Sequence, residues 1–110
     1  MNAQIHFTIS NQMISQCNDF IVVGKSRNYL HAGFEFLTEE WNDVEKKALF
    51  KNGRNGTIYE SDIIDDVCLI PEEVLSEENK YMYISVYGGN RITTNNVKVF
   101  IVQSGYWFGG

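Results

Sequence analysis

Hydrophobic and polar residues alternate with a period of two along most of this chain. The longest such stretch runs from Lys80 to Val102. Tyr81, Tyr83, Ser85 and Tyr87 alternate with Met82, Ile84 and Val86; further on, Val97, Val99 and Ile101 alternate with Lys98, Phe100 and Val102. A period of two sends successive side chains to opposite faces of a strand. Gly88-Gly89-Asn90 lies between the two runs and tolerates the positive φ that tight hairpin turns need. The pattern predicts a hairpin in which Met82, Ile84 and Val86 meet Val97, Val99 and Ile101 in the core. A lone hairpin is marginal in water, so the rest of the chain must supply more sheet.

Ile5, Phe7 and Ile9 against His6 and Thr8 read as a half-buried strand. Asn11-Gln12 is a turn, and Met13-Ile14 starts a short second strand. Phe20-Ile21-Val22-Val23 is a compact apolar strand stopped by Gly24. From Tyr29 to Leu37, Leu30, Ala32, Phe34 and Phe36 share one face. Thr38 is placed to cap a single helical turn, with Glu39 and Glu40 at its positive end. Trp41 is expected to close one end of the core. Lys46 to Lys51 is a strand with Ala48 and Phe50 inward; Asn52-Gly53-Arg54-Asn55-Gly56 is a hairpin loop, and Thr57 to Ser61 pairs back. Val67 to Ile70 is a further strand. Pro71 to Leu75 reads as a short helix, proline suiting its first position. The sum is an all-β, immunoglobulin-like antiparallel β-sandwich of about eight strands with one or two short helices.

The chain has 110 residues, which fits one domain over 1–110, and 44% of them are hydrophobic, which is ample for one core. Fourteen acidic residues against nine basic give a net charge of −5, which argues against nucleic acid as a partner. No apolar run approaches the ~20 residues of a membrane span. MNAQIHFTIS has neither the basic nor the apolar region of a signal peptide, so synthesis in the cytoplasm is expected. Cys17 and Cys68 match no metal spacing and read as two reduced thiols in or near the core; a disulfide between them stays open.

Little here suggests chemistry. His6 and His31 are the only histidines, and each falls on the outer side of its strand. Asp62, Asp65 and Asp66 lack the alternating ligands and glycine of a calcium loop and read as a polar turn. Glu39-Glu40 and Glu72-Glu73 are adjacent pairs, which do not converge on one substrate atom. Cys17 has no base assigned to it. The expectation is a non-enzyme with no cofactor, no metal and no catalytic residues. The tyrosines stand apart: Tyr81, Tyr83 and Tyr87 share one strand face, and Tyr59 and Tyr106 are candidates to extend it. Such a face either stacks a sugar, binds a protein, or is covered by the chain itself.

Three segments occur in order: FEFLTEEWNDVEKKALFKN over 34–52, CLIPEEVL over 68–75, and YISVYGGNRITTNNVKVFIVQSGY over 83–106. Together they resemble a small β-sandwich domain at the N-terminus of tail, baseplate or fibre proteins in phages and prophages of Firmicutes. The segments are similar to the N-terminal domain of upper baseplate proteins, and the resemblance covers residues 4–106. It implies a structural protein of the virion tail that works by contact with other virion proteins, as a homo-oligomer; the acidic charge and the lack of a long apolar run already argue against nucleic acid and membrane partners. Tyr81, Tyr83, Tyr87 and Trp107 are the candidate contact surface. The relatives continue into a linker, coiled coil or fibre after Ser-Gly-Tyr, whereas here only Trp107-Phe108-Gly109-Gly110 follows; this fits either a domain cut from a longer protein or a stand-alone version, and only the second departs from a fibre-anchor role. Two other readings stand beside it. One is a carbohydrate-binding module for the host wall, favoured by exposed, coplanar aromatics. The other is a small acidic phage-encoded inhibitor of a host protein, favoured by clustering of Asp62, Asp65, Asp66, Glu72, Glu73, Glu77 and Glu78.

Overall fold

The computed structural model describes residues 5–17, 20–23, 30–53, 55–76, 80–89 and 92–103. Among the described residues ten strands, against about eight expected, run in chain order as β1 Ile5–Ser10, β2 Met13–Gln16, β3 Phe20–Val23, β4 His31–Phe36, β5 Lys46–Asn52, β6 Ile58–Ile63, β7 Val67–Leu69, β8 Tyr81–Gly88, β9 Ile92–Thr93 and β10 Val97–Gln103. They form an all-β sandwich. One sheet has the order β2-β1-β4-β7; the other has β3-β10-β8-β5-β6, with β9 also on β8.

The core follows the alternation. Ile5, Phe7 and Ile9, Ala32 and Phe34, Ala48 and Phe50, Met82, Ile84 and Val86, and Val99 and Ile101 are all buried between the sheets. Val97, expected with them, is half-buried against the cluster. The two arms of the 80–102 hairpin pair as predicted, but Gly88, expected in the turn, is the last residue of β8 and pairs with Ile92, and Asn90 lies outside the described residues. Tyr87 pairs with Thr93, but Ile84 pairs with Val97. Three residues, 94–96, therefore face two, 85–86, which is a β-bulge. The Thr94 hydroxyl accepts the Val86 N–H at 2.9 Å, replacing a ladder bond.

The bulge releases Asn95 toward the other sheet. Its carboxamide oxygen accepts the Ile14 N–H at 2.9 Å, and the Gln16 side chain donates to the Lys98 carbonyl at 2.8 Å. These bonds close the β2 edge. At the opposite side β6 turns into β7 through Asp65 and Asp66, both at positive φ (54° and 64°), with Ile64 and Val67 bridged across the turn.

Two pairings depart from the antiparallel expectation: β1 lies parallel to β4 and β3 lies parallel to β10. The chain leaves the first sheet after β2, runs β3 in the second, and returns for β4. A strand that arrives from the other sheet is free to pair in either direction, whereas a tight hairpin is not.

Trp41 is fully buried and closes one end, as expected. It lies in a 3-10 turn, Glu39–Trp41, and its ring centre is 5.4 Å from that of Phe36. Thr38 does not cap this turn through its side chain. Its hydroxyl instead accepts the Asn11 N–H at 2.8 Å, while the Trp41 Nε1–H donates to the Asn11 carbonyl at 2.6 Å. The β1–β2 turn, with Asn11 at φ 55°, is thus gripped from both sides. The expected helix after Pro71 is a second 3-10 turn, Glu72–Leu75, with the proline one place before it and Val74 and Leu75 buried. Both cysteines are free; Cys68 is buried, but Cys17 is exposed rather than in the core, because it continues the outward set of Met13 and Ser15.

Candidate surface for protein contact

The larger sheet turns one face to the core and the other outward. The register fixes the outward grid. Phe20 of β3 stands beside Phe100 of β10, which stands beside Tyr81 of β8. The next row is Lys98, Tyr83, Lys51 and Ile58, and the far corner holds Tyr87, Lys47 and Asp62. Val22 and Val102 extend the first corner.

Tyr81, Tyr83 and Tyr87 do share this face, and each is half-buried. They are not equivalent. Tyr81 and Tyr83 meet edge to face, with ring centres 5.6 Å apart and planes at 81°. The Lys98 ammonium lies 4.3 Å from the Tyr81 ring centre and 5.2 Å from that of Phe100, an attractive placement over the negative ring faces. Gly53 lets the β5–β6 loop pass under Tyr81: a Cβ there would lie 2.3 Å from the Tyr81 carbonyl and 2.7 Å from its ring. Tyr87 sits in a charged corner, where its hydroxyl is 3.5 Å from Glu60 and Lys47 is 3.6 Å from Glu60 and 3.7 Å from Asp62. Tyr87 first, then Asp62 and Glu60, raise the Lys47 ammonium above its ordinary range. Tyr59 does not join the tyrosine face; it lies opposite Phe50 and packs against the core. Trp107 and Tyr106 lie outside the described residues.

The residues that reasoning from sequence missed are apolar. Phe20 is 51% exposed, Val22 48%, Phe100 51% and Val102 42%, and they are adjacent. The signal was present: β3 is apolar at both alternating sets, and so is β10 from Val99 to Val102, after Lys98, while one set suffices for the core. Their outward set is surplus apolar surface.

Among the described residues no three His, Cys, Asp or Glu side chains gather to hold a metal. The β6–β7 corner has an open groove of about 570 Å³ between His31, Asp62, Ile64, Asp65 and Leu69. Cys68 lies at its base with its thiol pushed up to about 12 by burial, so it is a poor nucleophile. Asp62 and Asp65 line this groove together, but Asp62 also faces Lys47; Glu77 and Glu78 lie outside the described residues. No helix among the described residues is long and apolar enough to cross a membrane. No protein-family model, curated protein or solved structure matches the chain.

Proposed function

We propose that this chain is a non-enzymatic structural component of a phage tail or baseplate, working through protein–protein contact at the outer face of its larger sheet. The observation that carries the contact reading is the adjacent exposed set Phe20, Val22, Phe100 and Val102 beside Tyr81. Soluble domains scatter single apolar residues over their surface, and contiguous patches mark contact sites. The phage assignment rests on the motif resemblance over 4–106. The partners are then other virion proteins, and the protein's place is the tail or baseplate of the virion.

A sugar-binding role is less well supported. A flat sugar ring needs coplanar aromatic faces, and Tyr81 and Tyr83 stand at 81° to each other. The test is immunogold labelling of purified virions with an antibody against the domain. Label at the tail tip supports the proposal. Absence of label, with the protein abundant in infected cells, overturns it in favour of an inhibitor.

A further inference from the structure

Among the described residues the two sheets have four edges, and three of them are protected. The β2 edge is taken by Asn95 and by the Gln16–Lys98 bond. β7 has three residues, and Val67 is bonded both ways to Ile64. β6 is long, but Glu60 and Asp62 are exposed along it, and edge charges oppose strand addition. β3 shows no such protection among the described residues: it carries no charge and no proline, it is apolar on both faces, and Phe20 and Val22 are exposed on it.

Its backbone is aimed for pairing. The Ile101 N–H donates to the Lys80 carbonyl, so Val97, Val99 and Ile101 turn their backbone groups to β8, while Phe100 and Val102 turn theirs to β3. In a parallel ladder the register partners of those residues, Phe20 and Val22, then point their N–H and C=O away from β10.

We infer that a second copy of this chain docks here, β3 against β3 antiparallel about a twofold axis, joining two six-stranded sheets into one. The inference rests on the protein-contact reading and specifies its partner. A twofold contact must be self-complementary, and this edge is: centred on Ile21, it places Phe20 of one copy beside Val22 of the other, twice. Aromatic with β-branched is a favourable cross-strand pair. Phe100 and Val102 continue the apolar stripe across the junction. Electrostatics select the same edge. The chain carries a net charge of −5, yet the acidic side chains of this face, Glu60 and Asp62, lie on β6 at the far side of the sheet. Two copies meeting at β3 keep those charges apart. With half of each phenylalanine exposed, the patch offers roughly 350 Å² per copy, about 700 Å² in the pair. That is below a standard interface of ~1,600 Å², so a weak, concentration-dependent dimer is expected.

The test is analytical ultracentrifugation of the full chain from about 1 to 500 µM, with Val22→Lys and Phe100→Lys as interface variants and Ile58→Lys on β6 as control. All three positions are exposed, and circular dichroism checks that each variant is folded. The expected result is a monomer–dimer equilibrium weakened at least about tenfold by Val22→Lys or Phe100→Lys and unchanged by Ile58→Lys. In a Cys17→Ser background, Phe20→Cys mixed with Val22→Cys should form a mixed disulfide faster than either variant alone, which reports the register. A monomer at every concentration overturns the inference. So does a dimer that survives both lysine variants, or one that appears only when residues 104–110 are deleted, since the patch would then be covered by the chain's own aromatic end. Virion labelling does not depend on these results, so either idea can fail alone.

Discussion

Replacing Trp41 by phenylalanine removes two distinct things. The indole is fully buried against Phe36, with Gly88 so close that a Cβ there would lie 2.9 Å from the ring. Full truncation of a buried tryptophan costs about 3–5 kcal/mol, and phenylalanine restores roughly half of that packing. The substitution also deletes the 2.6 Å bond from Nε1–H to the Asn11 carbonyl. That bond is part-buried, so its loss adds about 1 kcal/mol. The sum is a loss of about 2.5–3.5 kcal/mol, a lowering of Tm by roughly 10–20 °C for a domain of this size. Urea unfolding followed by far-ultraviolet circular dichroism is the assay, because the substitution alters the fluorescence signal. Thr38→Val removes the other bond to the same turn, from the Asn11 N–H. The two substitutions should combine less than additively, because once either contact is lost the turn loosens and the other is worth less. A loss below about 0.5 kcal/mol for Trp41→Phe would refute the reasoning that this end of the core depends on the indole.

Asn95→Ala should cost about 1–2 kcal/mol, because the part-buried Ile14 N–H loses its acceptor; an unchanged urea midpoint would show that water replaces the carboxamide. Asp65→Asn with Asp66→Gly should raise stability by about 0.5–1 kcal/mol, since both positions hold positive φ and Asn-Gly is the preferred pair for such a turn; calorimetry reads the gain. A thiol reagent at pH 8 should label Cys17 and spare Cys68 until urea is added, and labelling of both in the native protein would contradict the burial of Cys68. Because burial raises the folded-state value of Cys68 to about 12, its thiol is neutral in both states below about pH 8.5, and its contribution to stability is fully present there. As pH rises from there toward 12 the unfolded chain alone releases the proton, so stability falls; Cys68→Ala should flatten that slope in urea midpoints measured at rising pH.

The fold was largely legible along the chain because it is built of period-two strands. Met82, Ile84 and Val86 could be assigned to the core from their spacing alone, and so could Ala48, Phe50 and the capping role of Trp41 in closing one end. The candidate surface was legible only in part. Tyr81, Tyr83 and Tyr87 were placed on one face correctly, but their differences were not: Tyr87 belongs to a charged corner and Tyr81 to an apolar one. Nor was Tyr59 separable from them, because a strand's alternation says which residues share a face, not which face is turned inward.

By itself the sequence determined roughly where most strands lie and which alternate residues go together, but not their ends or number: ten strands form where about eight were expected, and Asp62, expected in a turn, lies in β6. What it determined is local, set by side-chain period and by turn residues. Only the tertiary structure decided that β3 pairs parallel to β10 and that Phe20 lies beside Phe100. Each of these joins residues some eighty positions apart, and no periodicity extends over that distance. Two strands that are apolar on both sides carry more hydrophobic surface than one core can hide, and their neighbours in space determine which of it stays in water.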